Sequence, residues 1–186
     1  MNPAADPYQQ MPEADPKAAT RRLGNRLLWS ALALGLGITA IDALDRFHRD
    51  HALMLNRTQS LPNWAFYMTK NAYPKRGDYV SFAPPVTPLV ASHFGQKPDL
   101  FGKIVTGVGG DTVSHVGSEV LINGVRVATI KPVSLRGETL VPGPTGTVPA
   151  NCYFVSTPSR DGFDSRYADI GFVCRHQIFG TGVPIL

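Results

Sequence analysis

The chain changes texture three times. Met1–Thr20 sets Pro3, Pro7, Pro12 and Pro16 among small and polar residues, with no recurring apolar position on which a helix or strand could pack. That pattern predicts a disordered lead-in. Leu27–Ile41 is an uncharged run of 15 residues that reaches Leu44 only by taking in Asp42. A bilayer span takes about 20 apolar residues, so this run falls between a signal-peptide core and an anchor. From Leu61 onward, short apolar stretches are punctuated by Gly, Pro and Asn, which predicts β-strands. Tyr79–Phe82, Glu119–Ile122, Val125–Ile130, Asn151–Ser156 and Gly171–Cys174 are the candidates, and Asn123-Gly124 is a strong hairpin signal between two of them. Pro84–Pro98, with Pro84, Pro85 and Pro88, predicts a surface loop or edge excursion. No segment repeats at a fixed period.

The flanks of the apolar run favour an anchor over a cleaved signal peptide or a buried soluble helix. The 26 residues before it make an overlong n-region, and Trp29 near its start suits a membrane interface. Lys17, Arg21, Arg22 and Arg26 on one side outnumber Arg46 and Arg49 on the other, so the positive-inside rule keeps the N-terminus in the cytoplasm. The expected division is a disordered cytoplasmic N-terminus over 1–22, a transmembrane anchor over 23–44 and a periplasmic domain over 45–186. The lipid bilayer is then the first partner.

Composition narrows the class. A chain of 186 residues, 43% hydrophobic and 17% charged, supports one compact core and argues against wholesale disorder or a coiled coil. Its 18 glycines and 16 prolines suit many turns between strands and disfavour a helix bundle. The net charge of +4 is a mild excess of scattered basic residues, not the clustered Arg and Lys of a nucleic-acid surface.

Most catalytic constellations are missing. His48 and His51 lie three apart with Asp45 nearby, but no third nitrogen or sulfur ligand stands at a helpful spacing, so no metal site is expected. Gly107-Val-Gly-Gly-Asp111 lacks the Gly-Lys-Ser/Thr ending of a phosphate loop, and no Gly-x-Ser-x-Gly elbow pairs a serine with a histidine. No cofactor is implied. What remains is serine chemistry with a lysine. A serine hydroxyl becomes a nucleophile when a base takes its proton, and a lysine amine serves only when neutral. Its pKa must then fall by roughly 3 units from about 10.4, which burial among apolar groups can supply. Lys103 sits between Phe101-Gly102 and Ile104-Val105, whereas Lys70, Lys75 and Lys97 lie among polar or turn residues. Taken alone, a lysine on an apolar strand is more often a snorkelling edge residue.

Four pieces stand in order: Ser60-x-Pro62, Lys75-Arg-Gly-Asp78 before a hydrophobic strand, Lys103 followed by Gly-x-Gly-Gly-Asp111, and Asp164-Ser-Arg-Tyr167. Together they resemble the signal peptidase I superfamily. The resemblance covers roughly residues 55–183. Within the superfamily, Ser-x-Pro soon after a single anchor, the compact size and Gly162-Phe-Asp-Ser-Arg-Tyr167 look most like the TraF-type peptidases of conjugative transfer. The resemblance implies a mainly β, signal-peptidase-like fold after one transmembrane helix. It implies Ser60 as nucleophile, Lys103 as general base, and Thr58 with the Ser60 amide as oxyanion hole. Asp164, Ser165 and Arg166 would brace the site. The substrate class implied is a pilin precursor bearing a leader peptide, with other conjugation (type IV secretion) components as further partners and cyclisation of the pilin as an additional activity. A housekeeping leader peptidase and a non-catalytic envelope scaffold are the alternatives. The chain departs from the family where Ser159-Arg-Asp-Gly-Phe-Asp-Ser-Arg166 is one residue short and lacks a serine that touches the lysine, and where Ile104 replaces an arginine. Cys152 and Cys174 flank the site loop, and either a periplasmic disulfide or two buried thiols fits them.

Overall fold

The computed structural model describes residues 16–57 and 60–185. Helix α1, Pro16–Asp50, contains the apolar run and extends beyond both expected ends of the anchor. Residues 1–15 of the expected lead-in lie outside the described residues, and residues 16–22 of it are helical. From Asn25 to Asp50 the helix is long and apolar enough to cross a bilayer, with a mean hydropathy of 1.8 over its best window and none of that window buried. Leu28, Leu32, Leu36 and Ile41 are all exposed, as a lipid-facing helix requires.

The body from Phe47 onward is the mainly β fold that the sequence predicts. Its strands are β1 (His51–Leu55), β2 (Ala65–Lys70), β3 (Tyr79–Phe82), β4 (Phe101–Val108), β5 (Thr112–Val116), β6 (Glu119–Ile122), β7 (Val125–Thr129), β8 (Gly146–Thr147), β9 (Cys152–Ser156), β10 (Val173–Cys174) and β11 (Ile178–Pro184). A seven-stranded sheet runs β1-β2-β11-β3-β4-β9-β10 and a four-stranded sheet runs β7-β6-β5-β8. The pairings among these strands are antiparallel, as in chains built from hairpins. β11 lies between β2 and β3, so the two have no ladder to each other.

The β6–β7 hairpin turns at Asn123 (φ 51°) and Gly124 (φ 80°), the positive-φ pair that an Asn-Gly two-residue loop supplies. The proline-rich stretch differs from the loop expected there, because it holds a short helix, α2 (Pro88–Phe94). Thr87 Oγ1 accepts the Val90 amide at 3.2 Å, Pro88 occupies the first turn, where a missing N–H costs nothing, and Gly95 closes the helix. The prolines position this helix rather than prevent one.

Alternation along β4 sorts its side chains onto two faces. Lys103, Val105 and Gly107 are buried, and Val80 pairs directly with Lys103. Val80, Phe82, Val90, Val105 and Val155 form the core on that face, with Phe101 and Phe163 packed against it. Tyr79 and Ile104 pack instead against the Leu61, Phe66 and Met68 cluster. A third cluster of Val113, Val120, Ile122, Val148 and Phe154 joins the small sheet to β9.

Candidate active site

Lys103 lies near the start of β4 on the apolar face, 5% exposed. Its Nζ sits 5.8 Å from the centre of the Phe101 ring. Burial pushes its amine below the ordinary lysine value; the Asp164 carboxylate pulls the other way, and the Arg166 guanidinium adds to the lowering. The sequence context Phe-Gly-Lys-Ile-Val thus produces a buried amine and not a snorkelling one.

Asp164 and Arg166 form a buried pair, 0% and 1% exposed. Arg166 Nε donates to Asp164 Oδ1 at 2.8 Å and Nη2 to Oδ2 at 2.9 Å, a two-point contact that matches the planar fork to the carboxylate. The remaining guanidinium donors reach the carbonyls of Thr157 at 2.8 Å, Ser159 at 3.1 Å and Thr129 at 3.2 Å. All five guanidinium N–H groups therefore have acceptors. Asp164 also accepts the Thr157 amide at 3.0 Å and the Thr157 hydroxyl at 3.3 Å. Ser165 docks on β9, its Oγ accepting the Val155 amide at 3.0 Å and its own amide donating to the Val155 carbonyl at 3.1 Å. The three residues tie the loop after β9 to β9 itself and to the end of β7.

Ser60 is half-buried in the turn between β1 and β2. Its neighbour Leu61 is in the core, and a side-chain carbon at Gly102, the residue before Lys103, would come 3.4 Å from Leu61 Cδ1 and 3.1 Å from Met54 Cε. The segment carrying Ser60 thus packs on β4 through the Gly102 and Ile104 face, the face opposite the one to which alternation sends the Lys103 side chain. Thr58 lies outside the described residues. Cys152 and Cys174 are joined by a disulfide across the β9–β10 pair.

Two sequence motifs turn out to be structural. Arg76 donates to Asp111 and to the Thr106 carbonyl. Asp111 also accepts the Val108 amide at 2.6 Å and Asn123 Nδ2 at 2.8 Å. Lys75-Arg-Gly-Asp78 and Gly107-Val-Gly-Gly-Asp111 therefore meet, and together they close the β4–β5 turn against the β6–β7 hairpin. Thr157 was not singled out by sequence reasoning, and Gly162 entered it only as part of Gly162-Phe-Asp-Ser-Arg-Tyr167. Thr157 lies just past a strand and gives no local signal, whereas Gly162 stands where the family pattern carries a serine.

Comparison with known proteins settles the family. The family model of signal peptidase, peptidase S26, matches residues 28–186. The chain belongs to that family. As a signal peptidase it is a serine peptidase of the kind that cleaves leader peptides, and its apolar helix is of the type that anchors such domains. A solved signal peptidase I from Enterococcus faecalis V583 is similar at 24% identity and a TM-score of 0.36, covering 59% of this peptidase and 97% of that chain. Among curated proteins none matches it significantly.

Proposed function

We propose that this signal peptidase uses Ser60 as nucleophile and Lys103 as general base to remove leader peptides from pilin precursors in conjugative transfer. The observation that carries the reading is Lys103 itself, an amine buried on an apolar face with its pKa lowered, on a strand against which the Ser60 segment packs. A neutral amine takes the Ser60 hydroxyl proton as the oxygen attacks the scissile carbonyl. Thr58 and the Ser60 amide hold the oxyanion; losing one such donor typically costs about 10²–10³ in turnover. The protonated Lys103 then gives its proton to the leaving amine, and water resolves the acyl-enzyme. Closing the pilin into a ring would take a second acylation, at a carbonyl near the pilin's C-terminus: the C-terminal tail leaves as the amine, and the pilin's free N-terminal amine, in place of water, takes the acyl group from Ser60.

The TraF-type assignment rests on Ser60-x-Pro62, the compact size and Gly162-Phe-Asp-Ser-Arg-Tyr167. An N-terminus in the cytoplasm and a catalytic body in the periplasm follow from the basic residues before Leu27. The Cys152–Cys174 bond supports an oxidising compartment. Co-expression with a candidate pilin precursor, followed by intact-mass measurement, tests the reading. The leader's mass should disappear with the wild type, and a mass one water below that of the linear chain trimmed at both ends would mark cyclisation. Ser60→Ala and Lys103→Met should each abolish processing while the protein remains in the membrane fraction. Processing by either variant at the wild-type rate would falsify the dyad.

A further inference from the structure

We propose that Thr157 is the positioning residue of the catalytic lysine, its hydroxyl oxygen accepting an N–H of Lys103 while its proton goes to Asp164. The inference rests on the Ser60–Lys103 reading and adds the group that aims the amine.

Three observations converge on Thr157. The first is register. β4 and β9 pair Ile104 with Ser156, and carrying that antiparallel register one residue further sets Thr157 opposite Lys103. Residues directly opposite share a face, with Cβ atoms about 5 Å apart. The second is burial and polarity. Thr157 is 2% exposed, and its Oγ1 donates to Asp164 Oδ2 at 3.3 Å. Asp164 Oδ1 and Oδ2 each accept from Arg166, so the carboxylate meets the Thr157 hydroxyl as an acceptor too. That fixes the direction of the hydroxyl proton toward Asp164. The oxygen lone pairs of Thr157 are left to receive a donor, and the buried amine of the opposite residue is one. The third is the shape of Gly162. A side-chain carbon there would stand 2.1 Å from Thr157 Oγ1, 2.9 Å from Asp164 Oδ2 and 3.0 Å from Arg166 Nη2. The Thr157 hydroxyl, just past the end of β9, fills the place that a side chain at position 162 would enter.

The chemical consequence is directional. A neutral amine has two N–H donors and one lone pair. A chain of donors running from Lys103 to Thr157 to Asp164 engages one N–H and restricts rotation about the terminal bond. The lone pair is then presented to the serine rather than averaged over all directions. Such alignment matters because misplacing a reacting group by about 1 Å can cost on the order of 10²-fold in rate.

The test follows the Lys103 side-chain NMR titration in the full-length protein in detergent micelles, its signal assigned by its loss in Lys103→Met. Wild type, Thr157→Ser and Thr157→Val are compared, with Thr157→Ala as a second hydroxyl-free variant. Protonated Lys103 is the stronger donor, so losing the acceptor favours the neutral form. Thr157→Val and Thr157→Ala should therefore titrate at lower pH than wild type, and Thr157→Ser with it. In precursor processing, the hydroxyl-free variants should lose at least about 10-fold in kcat with KM little changed, and Thr157→Ser should restore the rate. Coincident titrations of all the proteins, or a Thr157→Ser protein that behaves as Thr157→Val, would overturn the assignment of Thr157 alone. Undiminished processing by Ser60→Ala would instead remove the dyad on which it rests.

Discussion

The peptidase contains two Arg–Asp pairs of similar chemistry in different surroundings. Arg166–Asp164 is wholly buried and has every guanidinium donor satisfied, whereas the Arg76 side chain of the other pair is 47% exposed and that of Asp111 11%. Burial decides what each pair can do. In water's reach, Arg76 contributes a screened contact that helps pin a turn. Away from water, the Arg166–Asp164 pair sets the local field, and Lys103 lies within it, raised by the one charge and lowered by the other. Asp111 shows the opposite balance: burial raises its pKa, but hydrogen bonds from the Val108 amide, Asn123 and Arg76, with the Arg76 charge, hold it below the usual carboxylate value. A hydrogen-bonded carboxylate stays charged as a structural knot, whereas a buried amine with no comparable cage of acceptors is pushed toward neutrality.

Removing one partner from each pair separates them most sharply. Arg166→Met should destabilise the body by about 3–5 kcal/mol, because it leaves Asp164 as an uncompensated buried charge; thermal or urea unfolding in micelles would measure it. A smaller change of opposite sign is expected for Lys103→Met, which removes an amine that folding must dehydrate. The sign follows from the lowered pKa of the folded state: below that pKa the wild type is protonated in both states and bears the whole penalty. The penalty lifts as pH rises from the folded value toward the unfolded value near 10.5. Unfolding measured across this range should show the variant's advantage at neutral pH and its loss above about pH 10.5. Smallest of all, Arg76→Met should cost about 0.5–1 kcal/mol and leave precursor processing at the wild-type rate. A loss of processing in that variant would show that the β4–β5 turn communicates with the site and that the two pairs are not independent.

What the sequence disclosed follows the same division between local and distant causes. Asn123-Gly124 was legible because a two-residue turn needs positive φ at both positions, and the residues that tolerate it are few. Lys103 was singled out by its own apolar neighbours from Phe101 to Val105, but those neighbours alone favoured a snorkelling lysine, and the resemblance decided for a buried base. Helix α2 went unread, although Thr87 followed by Pro88 is a local start signal, because the density of prolines suggested a loop instead. Thr157 had no such signal at all. Its place depends on the β4–β9 register and on the turn at Gly162, both set by contacts between residues far apart in the chain. The meeting of Arg76 with Asp111, 35 residues on, and the insertion of β11 between β2 and β3 were equally beyond local pattern.

That insertion also governs when the peptidase can exist. Ser60 belongs to the β1–β2 hairpin and Lys103 to the block of β3, β4, β9 and β10, and the ladder that joins hairpin to block in the large sheet is β11. Gly180 makes the close fit possible, since a side-chain carbon there would stand 2.4 Å from the Thr69 carbonyl oxygen. Until Ile178–Pro184 has threaded between β2 and β3, the two halves have no shared hydrogen-bond ladder. Assembly of this molecule thus depends on its last strand: the hairpin forms by local pairing and the block by the longer-range β4–β9 pairing, but their union waits for a strand some 75 residues after Lys103. The ladder that unites the Ser60 hairpin with the Lys103 strand is thus supplied by the last strand in the chain.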